Sequence, residues 1–110
     1  MGFDAHEVAV QIAQALRAPL AQLRQHSRSL TEQAHAAADS IALNVGEGRR
    51  RAGRDRLHHY RIAAGSADEV RTALALAEAW GYLPGAMLAP ARALLDRELA
   101  MLWRLTHPRP

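Results

Sequence analysis

Ser40-Ile41-Ala42-Leu43-Asn44-Val45-Gly46-Glu47-Gly48, then Arg49-Arg50-Arg51-Ala52-Gly53-Arg54, and further on Ala63-Ala64-Gly65-Ser66-Ala67-Asp68-Glu69, form the stretch from which the fold is read. Small and polar residues recur at helical spacing on both sides of a corner rich in arginine and glycine. Gln33, Ser40, Asn44 and Glu47 are separated by seven, four and three residues, so they line one edge of a helix. Beyond the corner, His58, Ile62, Gly65, Glu69 and Leu76 share a stripe in the same way. If the two helices run antiparallel, Gln33 is level with Glu69, Ala37 with Gly65, and Glu47 lies near Arg54. A glycine in mid-helix costs about 1 kcal/mol relative to alanine. Close backbone approach of Gly65 to Ala37 is the expected offset. Gln33, Ser40, Asn44, Glu47, Gly65, Ser66 and Glu69 thus read as a structural polar seam that fixes register, with a ligand site as the alternative.

Helical signals extend in both directions. Asp4 is placed to cap a first helix, with Glu7 at its third position and Phe3 able to staple onto Val8. Apolar residues then fall at 5, 8, 9, 12, 13, 16, 20 and 23, in phase across Pro19, which predicts one kinked helix. A second helix is expected from about Ser29 to Val45, with Leu30, Ala34, Ala37, Ile41 and Val45 on its core face. Gly46, Gly48 and Gly53 then make the corner. The third helix, about Arg54 to Trp80, ends at Gly81 as a left-handed cap, with Pro84 just beyond. A fourth, about Met87 to Thr106, buries Leu88, Ala91, Leu94, Leu95, Leu99, Leu102 and Leu105. Pro90 is tolerable there only in the first turn. No segment alternates as a strand does. The fold class is therefore all-α, an up-down antiparallel four-helix bundle in one domain spanning residues 1–110. Val10 and Leu43 lie opposite their core stripes, and the fourth helix has an apolar arc wide enough for two neighbours, which favours self-association.

Composition narrows the function classes. No apolar run is long enough to cross a bilayer, and Met1 to Ala21 lacks the basic start and apolar block of a signal peptide. With no cysteine there is no disulfide framework or thiolate site, so a cytoplasmic location is expected. The chain has no lysine; every fixed positive side-chain charge is arginine. Residues 1–48 carry a net charge of −2, residues 49–61 carry +5, and residues 62–110 are neutral. The basic character is one patch: Arg49, Arg50, Arg51, Arg54, Arg56 and Arg61.

Leu30-x-x-Gln33, Ser40-Ile41-x-x-Asn44-Val45-x-Glu47-Gly48, Ala63-x-Gly65-Ser66-x-x-Glu69 and Gly81-Tyr82-Leu83 together resemble the four-helix-bundle proteins encoded in bacterial 23S rRNA intervening sequences. The resemblance covers about residues 30–83. It implies a short antiparallel bundle, assembled as a homopentamer, without known catalytic activity. It also implies kinship with accessory proteins of diversity-generating retroelements, which are basic pentameric bundles that bind nucleic acid and a reverse transcriptase. The chain departs from the pattern at Ala34-His35-Ala36, where the family has basic residues. It departs again at Ala42, usually proline, and at Gly46, usually alanine. The arginines beyond Gly48 are the candidates for the missing basic surface.

Those six arginines suit phosphate, since the planar guanidinium fork matches its oxygens. Cations at a helix N-terminus oppose the macrodipole, so they are expected to pair with Glu47 and Asp55 or to hold an external anion. Only Tyr60 lies nearby in sequence, so aromatic interleaving is absent and contact is expected with phosphates, not stacked bases. His58 and His59 point about 100° apart, which is unsuitable for one tetrahedral ion, and Asp55 with either of them reads as a first-turn ion pair. No metal, cofactor or catalytic residue is expected. Gly46-x-Gly48 follows a helix and lacks the Gly-Lys-Ser/Thr ending of a phosphate loop. Ser40 and Ser66 lack patterned histidine and acid partners. Trp80 and Trp103 read as bundle-end packing or subunit contact. The expected function is non-enzymatic nucleic-acid binding by a homo-oligomer, with RNA, DNA, a reverse transcriptase or another acidic protein as partners. The alternative is a protein-interaction scaffold whose arginine patch meets an acidic partner or a neighbouring subunit.

Overall fold

Local signals determine where each helix begins and ends. In the computed structural model, which describes residues 4–109, α1 spans Ala5–Leu23, α2 Arg28–Arg49, α3 Gly53–Ala79 and α4 Gly85–Thr106. Asp4 caps α1, its Oδ1 accepting the Glu7 N–H at 2.8 Å. The staple expected of Phe3 lies outside the described residues. Pro19 sits buried inside an unbroken α1, as the in-phase stripe predicts. Ser27 caps α2 by accepting the Leu30 N–H at 3.1 Å.

The end of α3 follows its sequence signal closely. Gly81 has φ of 77°, the Gly81 N–H donates to Glu78 O, and the Tyr82 N–H donates to Ala77 O, both at 2.9 Å. This paired closure satisfies two of the orphan carbonyls of the last turn, and the left-handed conformation carries no steric cost for glycine.

Two boundaries differ from expectation. α2 does not stop at Val45; it runs through Gly46 and Gly48 to Arg49, and the corner shrinks to Arg50–Ala52 before Gly53 at φ 59°. A helical glycine is only a weak breaker, and at Gly48 tertiary contacts offset its cost. A Cβ on Gly48 would come within 2.5 Å of the buried Tyr60 ring, so the missing side chain makes room for that aromatic. α4 starts at Gly85, two residues early, which moves Pro90 out of the first turn and into the second. The hydrogen bond Pro90 cannot make would have gone to the carbonyl of Ala86, an exposed residue.

The helices pack in a ring, α1 against α2 and α4, and α3 against α2 and α4, within a body of 45 × 27 × 19 Å. Val8, Ile12, Leu16 and Leu23 of α1 meet Ala34 and Ile41 of α2, Val70 and Leu74 of α3, and Leu88 and Leu95 of α4. A smaller cluster of Ala5, Val45, Tyr60, Ala63 and Leu102 closes the end of the bundle beside the α2–α3 corner. Of the residues assigned to core stripes, Ala13 and Leu105 are instead exposed. Among the described residues, no helix is long and apolar enough to cross a membrane.

Candidate nucleic-acid interface

The corner divides its six arginines between two kinds of work. Arg56 folds back onto α2, its Nε donating to Gly48 O at 3.0 Å and an Nη to Arg49 O at 3.4 Å. It thereby supplies donors to the C-terminal carbonyls of α2, where a cation also complements the macrodipole. Arg51 bridges Asp55 at 2.8 Å and Glu47 at 3.3 Å. Its hydrogen bond to Asp55, then the Asp55 charge and the same two effects of Glu47, hold its proton still more firmly than usual. Arg50 reaches Glu47 only at 3.8 Å. Arg49, Arg54 and Arg61 are exposed and make no side-chain hydrogen bond or ion pair among the described residues. Glu47 was expected near Arg54; it turns instead to Arg50 and Arg51, one turn along the same chain segment.

The polar seam is only partly as expected. The Ser66 hydroxyl donates to Ser40 Oγ at 2.7 Å, joining α3 to α2. Asn44 donates to the Ser40 carbonyl at 3.0 Å and to its hydroxyl at 3.1 Å, while Asn44 Oδ1 lies 3.0 Å from His59 Nδ1. The other His59 nitrogen is 4.0 Å from Asp55, so the ion-pair reading of Asp55 applies to His59 and not to His58. This chain of contacts confirms the antiparallel alignment about the corner. Gln33, Gly65 and Glu69, however, are exposed and do not join it. No atom outside its own helical turn lies within 4 Å of a Cβ built on Gly65, so the expected close approach to Ala37 is absent. The reason is rotational: Ser66, about 100° around the helix from Gly65, faces α2. The stripe of His58, Ile62, Gly65, Glu69 and Leu76 consequently faces outward.

Sequence proximity concealed two further features. Trp103 and His107 of the α4 end stack with ring centroids 4.3 Å apart and planes 13° apart, and Trp103 is 60% exposed. Because α4 runs antiparallel to α3, this pair falls beside Arg61. Aromatic rings therefore do accompany the arginines, whereas Tyr60, the only one near in sequence, is buried. The second feature is Glu98, fully buried on the Ala91, Leu95, Leu102 face of α4, with neither carboxylate oxygen hydrogen-bonded among the described residues. Burial, and secondarily the Asp4 charge, push its carboxyl up to about 8. The i, i+3, i+4 spacing to those apolar neighbours is the sequence signal that places it inside. Among the described residues no group of three or more His, Asp or Glu could hold a metal ion.

Residues 3–104 match the profile of the 23S rRNA-intervening sequence protein family. The chain belongs to that family. The match reaches over all four helices, well beyond the motif-bearing middle of the chain, so α1 and most of α4 are family elements too. No curated protein matches the chain. Within this family member, the seam of Ser40, Asn44 and Ser66 joins the two helices that carry the recognisable motifs. The unpaired arginines stand just outside it.

Proposed function

We propose that this family member is a non-enzymatic helical bundle that assembles with copies of itself and binds nucleic acid through phosphate contacts. The observation that carries the reading is the set of exposed arginines that have no side-chain partner among the described residues, Arg49, Arg54 and Arg61, near the α2–α3 corner. A solvated structural corner would engage its arginines locally, as Arg51 is engaged by Glu47 and Asp55 and Arg56 by the carbonyls of Gly48 and Arg49; these three are left available. Guanidinium groups bind phosphate oxygens bidentately and carry little sequence information of their own. Binding is therefore salt-dependent and tolerant of sequence.

Self-assembly is supported by a different surface. Leu43 is 69% exposed, and the outward stripe of α3 sets Ile62 and Leu76 around the bare backbone of Gly65. A pentamer is the state that the family resemblance implies. Assembly matters to binding because several weak patches on one ring act with a raised effective concentration.

The test is the combined substitution of Arg49, Arg54 and Arg61 by glutamine. Nucleic-acid affinity falls by at least tenfold at low salt while the mass by light scattering is unchanged. Dissociation of the assembly by the same substitutions would favour the alternative, in which the patch contacts a neighbouring subunit. Unaltered affinity would remove these arginines from the interface.

A further inference from the structure

The stacked pair at the end of α4 is the wall between two shallow grooves. One is lined by Ala100, Trp103, Arg104, His107 and Arg109. The other is shared with α3 and includes Arg61, Leu99, Trp103 and His107. Arg71 also borders the second groove, but it is tied to Asp96 at 3.2 Å and Asp68 at 3.6 Å, leaving Arg61 as the arginine there with no partner among the described residues. The pair is internally braced: His107 Nδ1 is 2.9 Å from the Trp103 carbonyl, and the Thr106 hydroxyl donates to Leu102 O at 2.8 Å. A braced aromatic ring loses little conformational freedom when a ligand covers it.

We propose that Trp103, backed by His107, is a stacking platform for an unpaired nucleobase, with Arg61 on one flank and Arg104 and Arg109 on the other taking the adjoining phosphates. The ligand is a single-stranded segment, because a base in a duplex has no free face to offer. Exposed aromatic rings between basic side chains are the arrangement that single-strand binders use. Distance from the arginine corner separates the other exposed tryptophan from this site. Trp80 and Tyr82 have ring centroids 6.4 Å apart at the far end of α3, away from the arginine corner. The inference rests on the nucleic-acid reading above and adds a base contact to its phosphate contacts.

The chain contains two tryptophans, so Trp80→Phe leaves Trp103 as the sole indole fluorophore. This variant is titrated with an oligothymidylate, an oligouridylate and an abasic deoxyribose-phosphate oligomer of equal length, with mass recorded by light scattering. Trp103 fluorescence is quenched by one or both of the base-bearing oligomers and not by the abasic one. The quenching oligomer also binds at least about fivefold more tightly, from the usual worth of one stacked base. Comparing the thymidylate and uridylate arms shows whether DNA or RNA is preferred. Adding Trp103→Leu abolishes that advantage and leaves abasic binding unchanged. Equal binding of all three oligomers with unquenched Trp103 would overturn the platform while leaving the phosphate reading intact. No binding of any oligomer at low salt would overturn both. Loss of assembly in Trp103→Leu would overturn the platform by identifying Trp103 as a contact between copies.

Discussion

Replacing Glu98 with glutamine should stabilise this protein, and by an amount that depends on pH. The carboxylate is fully buried and has no hydrogen-bond partner among the described residues. Its pKa is about 8 in the folded protein against an ordinary value of 4.5. Between those values the folded chain holds a proton that the unfolded chain releases, so stability must fall as pH rises through that window. At pH 7 the gap from 4.5 is 2.5 units, and one unit corresponds to about 1.4 kcal/mol, giving a cost on the order of 3 kcal/mol. Glutamine preserves the shape and the uncharged polar end but has nothing to ionise. The two proteins should match near pH 4.5 and diverge steadily to pH 8. At pH 7 the variant should melt about 10 °C higher or more, taking about 4 °C per kcal/mol for a domain of this size. Thermal melts across that range at equal protomer concentration isolate the effect, because other titrating groups cancel in the difference. A difference in Tm that stays constant with pH would refute the reasoning and mean that Glu98 is ionised and compensated.

The glycines give two further expectations. Gly48→Ala drives a methyl group into the Tyr60 ring and should cost about 1 kcal/mol net after the gain in helix propensity, whereas Gly46→Ala, with nothing within 4 Å, should gain about 0.5–1 kcal/mol. Urea unfolding of the pair checks this, and equal effects would contradict the close packing at Gly48. Gly65→Ala should likewise stabilise the isolated protomer by about 1 kcal/mol, yet lower the mass of the assembly by light scattering. An unchanged mass would place the outward face of α3 outside the contact between copies.

Four helices and most of their limits were legible in the sequence because capping and apolar periodicity are local. Asp4 and the Gly81 closure act within a few residues of themselves, and each falls where the sequence placed it. Gly46 misled because a lone helical glycine is only a weak breaker, and Gly48 because its effect is decided by distant groups, the Tyr60 ring and the Arg56 guanidinium. The facing of α3 was equally hidden. Gly65 and Ser66 are adjacent small residues pointing about 100° apart, and only packing decides which meets α2. The arginine patch was visible as a charge block. Its division into Arg51 and Arg56, committed to the fold, and Arg49, Arg54 and Arg61, left open, depended on which carbonyls and carboxylates the corner brought within reach. The Trp103–His107 pair was legible as an i, i+4 spacing, but its place beside Arg61 came from the antiparallel packing of α4 on α3.

The most direct test is the affinity of the purified protein for single-stranded RNA and DNA across a salt series, with its mass recorded in the same buffer. Each phosphate contact contributes about 0.7 to the negative slope of log affinity against log salt on a single strand. Three open arginines per protomer therefore predict a slope of about −2 from each engaged protomer, steeper as more copies of one assembly bind. That slope, on a species of several subunits, is the result expected. An assembly of the same size that binds neither nucleic acid at low salt would contradict the account.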